Sequence, residues 1–103
     1  MPEPFHGVLP ALITPFTGDG AAIDTDALAA NVERLIAAGA GGLVPGGSTG
    51  EFTTLTNAER RQLTEVTVAA AAGRVPVVAG TGALSTRETV ELSVHAERPA
   101  RPR

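Results

Sequence analysis

Short all-apolar runs alternate with amphipathic stretches three times along the chain. The first run, Gly7-Val-Leu-Pro-Ala-Leu-Ile13, ends at Thr14-Pro15. A loop turning on Gly18-Asp19-Gly20 leads into a stretch whose apolar residues Leu28, Val32, Leu35 and Ile36 fall at i, i+4, i+7 and i+8, one helical face. Asp24 or Thr25 is placed to cap this helix, which runs to about Ala38, and Gly39 stops it. The second unit opens with the short strand Gly42-Leu-Val44 and a turn from Pro45 to Gly50. Thr56-Asn-Ala-Glu59 is a capping box, and the helix behind it runs to about Ala72, turning Leu63, Val66 and Ala70 inward before Gly73. The third unit repeats the order. Val75-Pro-Val-Val-Ala79 is a strand, Gly80-Thr-Gly82 a turn, Ser85-Thr-Arg-Glu88 a second capping box, and Val90 and Val94 share a face of the following helix.

Three successive strand-turn-helix units make an α/β fold with a parallel sheet and right-handed crossovers. Strands this apolar are predicted to be buried on both faces. The pattern fits a (β/α)8 barrel or a doubly wound sheet, and the tight Gly-rich turns with similar unit lengths favour the barrel. A barrel of this kind takes roughly 250 residues, so the 103 residues here correspond to its first three βα units, a truncated domain over 1–97. Residues 98–103, Arg-Pro-Ala-Arg-Pro-Arg, break the pattern. Prolines at alternate positions cannot continue a helix, and the run is read as an aberrant tail foreign to the fold, with an ordinary basic tail as the alternative.

Composition sharpens this picture. Hydrophobic residues make up 43% but aromatics only 3%, so Ala, Val, Leu and Ile carry the core, as close packing of helices on a parallel sheet requires. With no cysteine there is neither a disulfide framework nor a thiolate metal site. His6 and His95 are far apart and lack ligand spacing, so neither a metal nor another cofactor is expected. Residues 1–97 hold five arginines against eleven acids, a balance of −6 that argues against nucleic acid as a partner. No apolar run reaches membrane-spanning length, and the start MPEPFHG lacks the basic and apolar regions of a signal peptide, so a cytoplasmic protein is expected.

The densest chemistry is Gly46-Gly-Ser-Thr-Gly-Glu51, directly after the second strand. Ligands of parallel α/β folds sit at the C-terminal ends of strands. Glycines let backbone N–H groups approach an anion, and Ser48 and Thr49 add hydroxyls without charge, which suits a carboxylate or phosphate oxygen. A tight turn with solvated hydroxyls is the plainer alternative. A P-loop is a poor fit, because Ser48 stands where the glycine spacing from Gly42 to Gly47 requires lysine. Gly80-Thr-Gly-Ala-Leu-Ser85 is a partial dinucleotide fingerprint with serine in its third place, a weak signal beside a plain strand-to-helix turn.

Three segments together resemble the dihydrodipicolinate synthase / N-acetylneuraminate lyase family: Gly7 to Phe16, Gly42 to Phe52 with Glu59 after it, and Gly73 to Gly82 with Ser85, Thr86 and Glu88. The resemblance spans residues 7 to about 97. It implies a (β/α)8 barrel, a homotetrameric full-length enzyme and a lyase of class I aldolase type acting on pyruvate or another 2-oxo acid through a lysine Schiff base. By the same resemblance Gly47, Ser48, Thr49 and Gly50 hold the substrate carboxylate, the Ser48 hydroxyl joins the proton relay, and Glu51 braces the turn. Ser-Thr in the loop tilts slightly toward sialic acid and sugar-acid lyases. The sequence contains no lysine and no tyrosine, so the family's Schiff-base amine and phenolic relay lie outside this chain, which is expected to be inactive alone and to fold poorly with open apolar edges. The alternatives are a non-catalytic α/β module binding a small anion or nucleotide, and a regulatory fragment that joins intact tetramers.

Overall fold

Each helix begins where the sequence offers a side-chain cap. The computed structural model describes residues 5–98. Helix α1 covers Thr25–Ala37, and it is Asp24 whose carboxylate takes the Ala27 N–H at 3.0 Å. Helix α2, Asn57–Ala71, starts with both halves of its capping box in place: Glu59 N–H donates to Thr56 Oγ1 at 3.1 Å, and Thr56 N–H to Glu59 Oε1 at 2.9 Å. Helix α3 covers Thr86–Glu97. Its Ser85 Oγ accepts the Glu88 N–H at 3.1 Å, but the reciprocal bond of the predicted box is not made. The Glu88 carboxylate instead receives Asn57 Nδ2 across at α2. A 3-10 turn, Phe52–Thr54, leads into α2.

Helix α2 packs between α1 and α3. Leu28 and Val32 of α1 and Leu63 and Ala71 of α2 meet Leu12 and Leu43 from the extended segments, with Ile23 and Leu55 closing the cluster. Each such leucine contributes roughly 1.5–3 kcal/mol by leaving water. Thr67 is fully buried among them, and its hydroxyl is satisfied by donating to Leu63 O at 2.7 Å. In α3 the inward residue is Leu92. Val90 and Val94 do lie one turn apart, but they are 54% and 51% exposed. Helix α2 ends two residues before Gly73, with its C-cap Ala72 left-handed at φ 51°, at a cost of roughly 1–2 kcal/mol for a residue with a Cβ.

The three runs predicted as strands lie side by side in parallel, paired through isolated bridges, Ala11 with Val44 and Leu43 with Val77. Val44 N–H donates to Pro10 O and Leu12 N–H to Val44 O; Leu43 N–H donates to Pro76 O, Val78 N–H to Leu43 O and Gly80 N–H to Pro45 O. The pairing is interrupted for a reason written in the sequence. This register sets the Pro45 nitrogen opposite Val78 O, and a proline nitrogen donates nothing. The expected burial of both faces does not hold. Leu12 and Leu43 are buried against the helices, while Ile13 and Val78 are 59% and 39% exposed, because the face away from the helices has nothing packed over it among the described residues; Val8, near the start of the first run, is 73% exposed. No helix among them is long and apolar enough to cross a membrane. The predicted tail falls, beyond Arg98, outside the described residues.

Candidate functional site

Backbone crowding dictates the shape of the loop that follows the second extended segment. Gly46 has φ 75° and packs on Gly80, where an added Cβ would lie 2.2 Å from Gly46 O. A Cβ on Gly50 would lie 2.9 Å from Leu12 O. Beneath the loop, the buried Thr14 hydroxyl donates to Gly50 O at 2.7 Å. Glu51 N–H closes the turn onto Ser48 O at 3.0 Å, and Phe52 N–H reaches Gly47 O at 3.4 Å. Glu51 itself is left-handed at φ 61°, and its carbonyl receives both the Thr54 N–H and the Thr54 hydroxyl. Its part in bracing the turn is therefore played by its backbone.

This leaves Ser48 and Thr49 at an exposed tip between half-buried Gly47 and buried Gly50. The amides of Gly47, Ser48, Thr49 and Gly50 donate to no acceptor among the described residues, and neither hydroxyl is bonded within the chain there. The four residues singled out in the sequence thus form one contiguous run of donors left unspent among the described residues, a candidate cup. No lysine or arginine belongs to it. Neutral donors of this kind suit a singly charged oxyanion, whose charge they solvate without a full ion pair.

The sequence did not reveal what stands behind the cup. Arg60, from the first turn of α2, is only 5% exposed. Its guanidinium donates to Gly82 O at 2.6 Å and Gly80 O at 3.0 Å and lies 4.9 Å from the Phe52 ring centre. Its Nε has no partner among the described residues. Burial pushes its pKa down, and the charge of Glu88 opposes that shift. The Gly80–Gly82 turn therefore presents carbonyls to a cation, the reverse of the N–H cradle that a dinucleotide needs. The sequence signal for Arg60 was indirect: a turn of two glycines right after a strand has carbonyls that must find donors.

The two histidines stay apart. His6 is exposed, and His95 lies 2.8 Å from Glu65 on the outer side of α2. No group of three or more metal-ligating side chains occurs among the described residues. A cleft of about 260 Å³ lies elsewhere, between the first extended segment and α1, lined by Pro10, Leu12, Asn31, Arg34 and Leu35 among others. None of the cup residues lines it.

Comparison with known proteins points to one family. Residues 4–99 match the model of the dihydrodipicolinate synthetase family. Over 92 residues the chain is 54% identical to the 4-hydroxy-tetrahydrodipicolinate synthase of Methanopyrus kandleri, an overlap of 89% of this chain and 31% of that protein. Among solved structures it is similar to YagE, a prophage protein of the dihydrodipicolinic acid synthase family from E. coli K12 in complex with pyruvate, with a TM-score of 0.86 and 43% identity over 90% of this chain and 31% of that one. It is also similar to the N-acetylneuraminate lyase of Mycoplasma synoviae, with a TM-score of 0.85 and 35% identity over 90% of this chain and 32% of that one. The chain spans about a third of the length of these relatives, their N-terminal third.

Proposed function

The chain belongs to the dihydrodipicolinate synthetase family, and from that premise we propose that it is the carboxylate-holding front of a lyase that joins or splits pyruvate, or another 2-oxo acid, through a Schiff base. The observation that carries the proposal is the cup itself: four consecutive amides and two hydroxyls without partners among the described residues and no fixed charge, shaped by glycine packing at the end of a parallel segment. The Gly47, Ser48, Thr49 and Gly50 amides and the two hydroxyls take the carboxylate. That anchors the neighbouring keto carbon for attack by an amine. The amine's lone pair forms the C–N bond, the carbonyl oxygen leaves as water after proton transfer, and the resulting imine draws electrons from the adjacent carbon. The Ser48 hydroxyl passes protons in that sequence.

No side chain of this chain supplies the amine, because the sequence has no lysine and arginine stays protonated. The complete enzyme is a (β/α)8 barrel whose first three βα units are residues 1–97, with 98–103 foreign to it, and it assembles as a homotetramer. The chain by itself binds but does not turn over.

Titration of the 15N-labelled chain with pyruvate tests this. Saturable shifts are expected at Gly47–Gly50. Replacing both Ser48 and Thr49 by alanine should weaken binding about tenfold, the effect of roughly 1.4 kcal/mol in lost hydrogen bonds. Borohydride should trap no pyruvate on any side chain. Unchanged affinity in the double variant, or a reduced adduct on a side chain, would end the proposal.

A further inference from the structure

The cup is continuous with a second loop through one side chain. Gly80 sits directly against Gly46, and its N–H is bonded to Pro45 O at 2.8 Å. Phe52 leaves the cup at its other end. Arg60 reaches both. One face of its guanidinium lies over the Phe52 ring at 4.9 Å, and two of its nitrogens hold the Gly80 and Gly82 carbonyls. We infer that Arg60 is a positioning residue for the cup: by locking the Gly80–Gly82 turn against the segment that carries Gly46 to Phe52, it fixes the orientation of the Gly47–Gly50 amides toward an incoming carboxylate. The inference rests on the reading of the cup given above.

Two physical points support it. A cation only 5% exposed, with no carboxylate bonded to it among the described residues, is an expensive way to fill space. An apolar side chain of the same volume would pack there at lower cost, so what the arginine adds is directional bonding. Only arginine supplies that geometry. Its planar fork reaches two carbonyls and stacks on a ring at once, whereas the ammonium of lysine is a point charge on a flexible stem. Arg60 would touch no substrate and move no proton. Its effect is transmitted through Gly80 and Phe52.

The test uses the full 15N-labelled chain with Arg60→Lys and Arg60→Ala. Amide exchange is followed at Glu51 and Gly80, which report the two loops, and at Leu28 and Val32 in α1, which report the body; pyruvate is titrated in parallel. Exchange at Glu51 and Gly80 is expected to rise about tenfold in both variants while α1 is unmoved, as for a local opening. Pyruvate binding should weaken by a similar factor. Methylguanidinium should restore both properties in Arg60→Ala, where it can fill the vacated space, and not in Arg60→Lys. Loop exchange and pyruvate affinity equal to the parent in both variants would overturn the inference. So would an equal loss of protection in α1 for Arg60→Lys, since the residue would then serve general stability. A parent chain that ignores pyruvate, while its loop exchange still depends on Arg60, would remove the carboxylate reading and leave the clamp standing.

Discussion

Thr14 shows how much a single residue decides here. Its hydroxyl is the only donor to Gly50 O among the described residues, and both groups are buried. Thr14→Val keeps the shape and removes the donor, so Gly50 O is left without a partner at a cost of about 1–3 kcal/mol. The expected result is a lower urea midpoint with an unchanged slope, accompanied by faster exchange at Glu51. An unaltered midpoint would mean that water reaches the carbonyl. At this scale the sequence was legible where chemistry and glycine coincide: Ser48 and Thr49 stood out because glycines flank them. Thr14 and Arg60 did not. A threonine before a proline reads as a strand end, and an arginine followed by Arg61 on a polar helix reads as solvent-facing. What buries Arg60 is a turn twenty residues further on, and no local pattern encodes that distance.

The helices were the most legible elements, because each carries its own start signal and a periodic apolar face. Where the reading failed, a long-range partner had intervened. Glu88 could complete a local box, but it receives Asn57 of α2 instead. Leu92, not Val90 or Val94, meets the body of the protein. The pairing of elements also has a titratable link. Arg74, just past α2, clasps Glu33 of α1 through two bonds of 2.5 and 3.1 Å. The Arg74 hydrogen bonds hold the Glu33 carboxyl below the usual glutamate range; desolvation opposes them and the Arg74 charge adds to them. A folded-state pKa depressed in this way contributes stability that is present above the unfolded value and lost as pH falls through the folded one. Thermal stability is therefore expected to fall on acidification through the carboxylate range, with that fall smaller in Glu33→Gln. Both groups are solvent-exposed, so the difference should shrink further in high salt. Equal acid sensitivity in the variant would show that the clasp contributes nothing.

For the whole molecule, the parallel order of the segments was legible and the solvent was not. Runs such as Gly7–Ile13 read as buried on both sides, yet only the side toward the helices is covered. The other side has nothing packed over it among the described residues. Val8, Ile13, Val78, Leu84, Val90 and Val94 are all exposed, and apolar surface left in water favours association where it is contiguous. The chain alone is expected to self-associate as concentration rises, read by sedimentation velocity as a growing weight-average coefficient. A single monomeric boundary across the whole concentration range would show that these faces are tolerated as they stand.

The prolines at the ladder positions bear on how such a piece keeps its alignment. A strand can slide without turning its side chains inside out only in steps of two residues. Moving the middle segment two places either way against the third would bring the ring of Pro45 or Pro76 onto a carbonyl that now accepts a bond. Each neighbouring alignment would thus set a proline nitrogen against a carbonyl that the present one satisfies. The height of the glycine tip and its hydroxyls is therefore tied to the pairing of the second and third segments themselves.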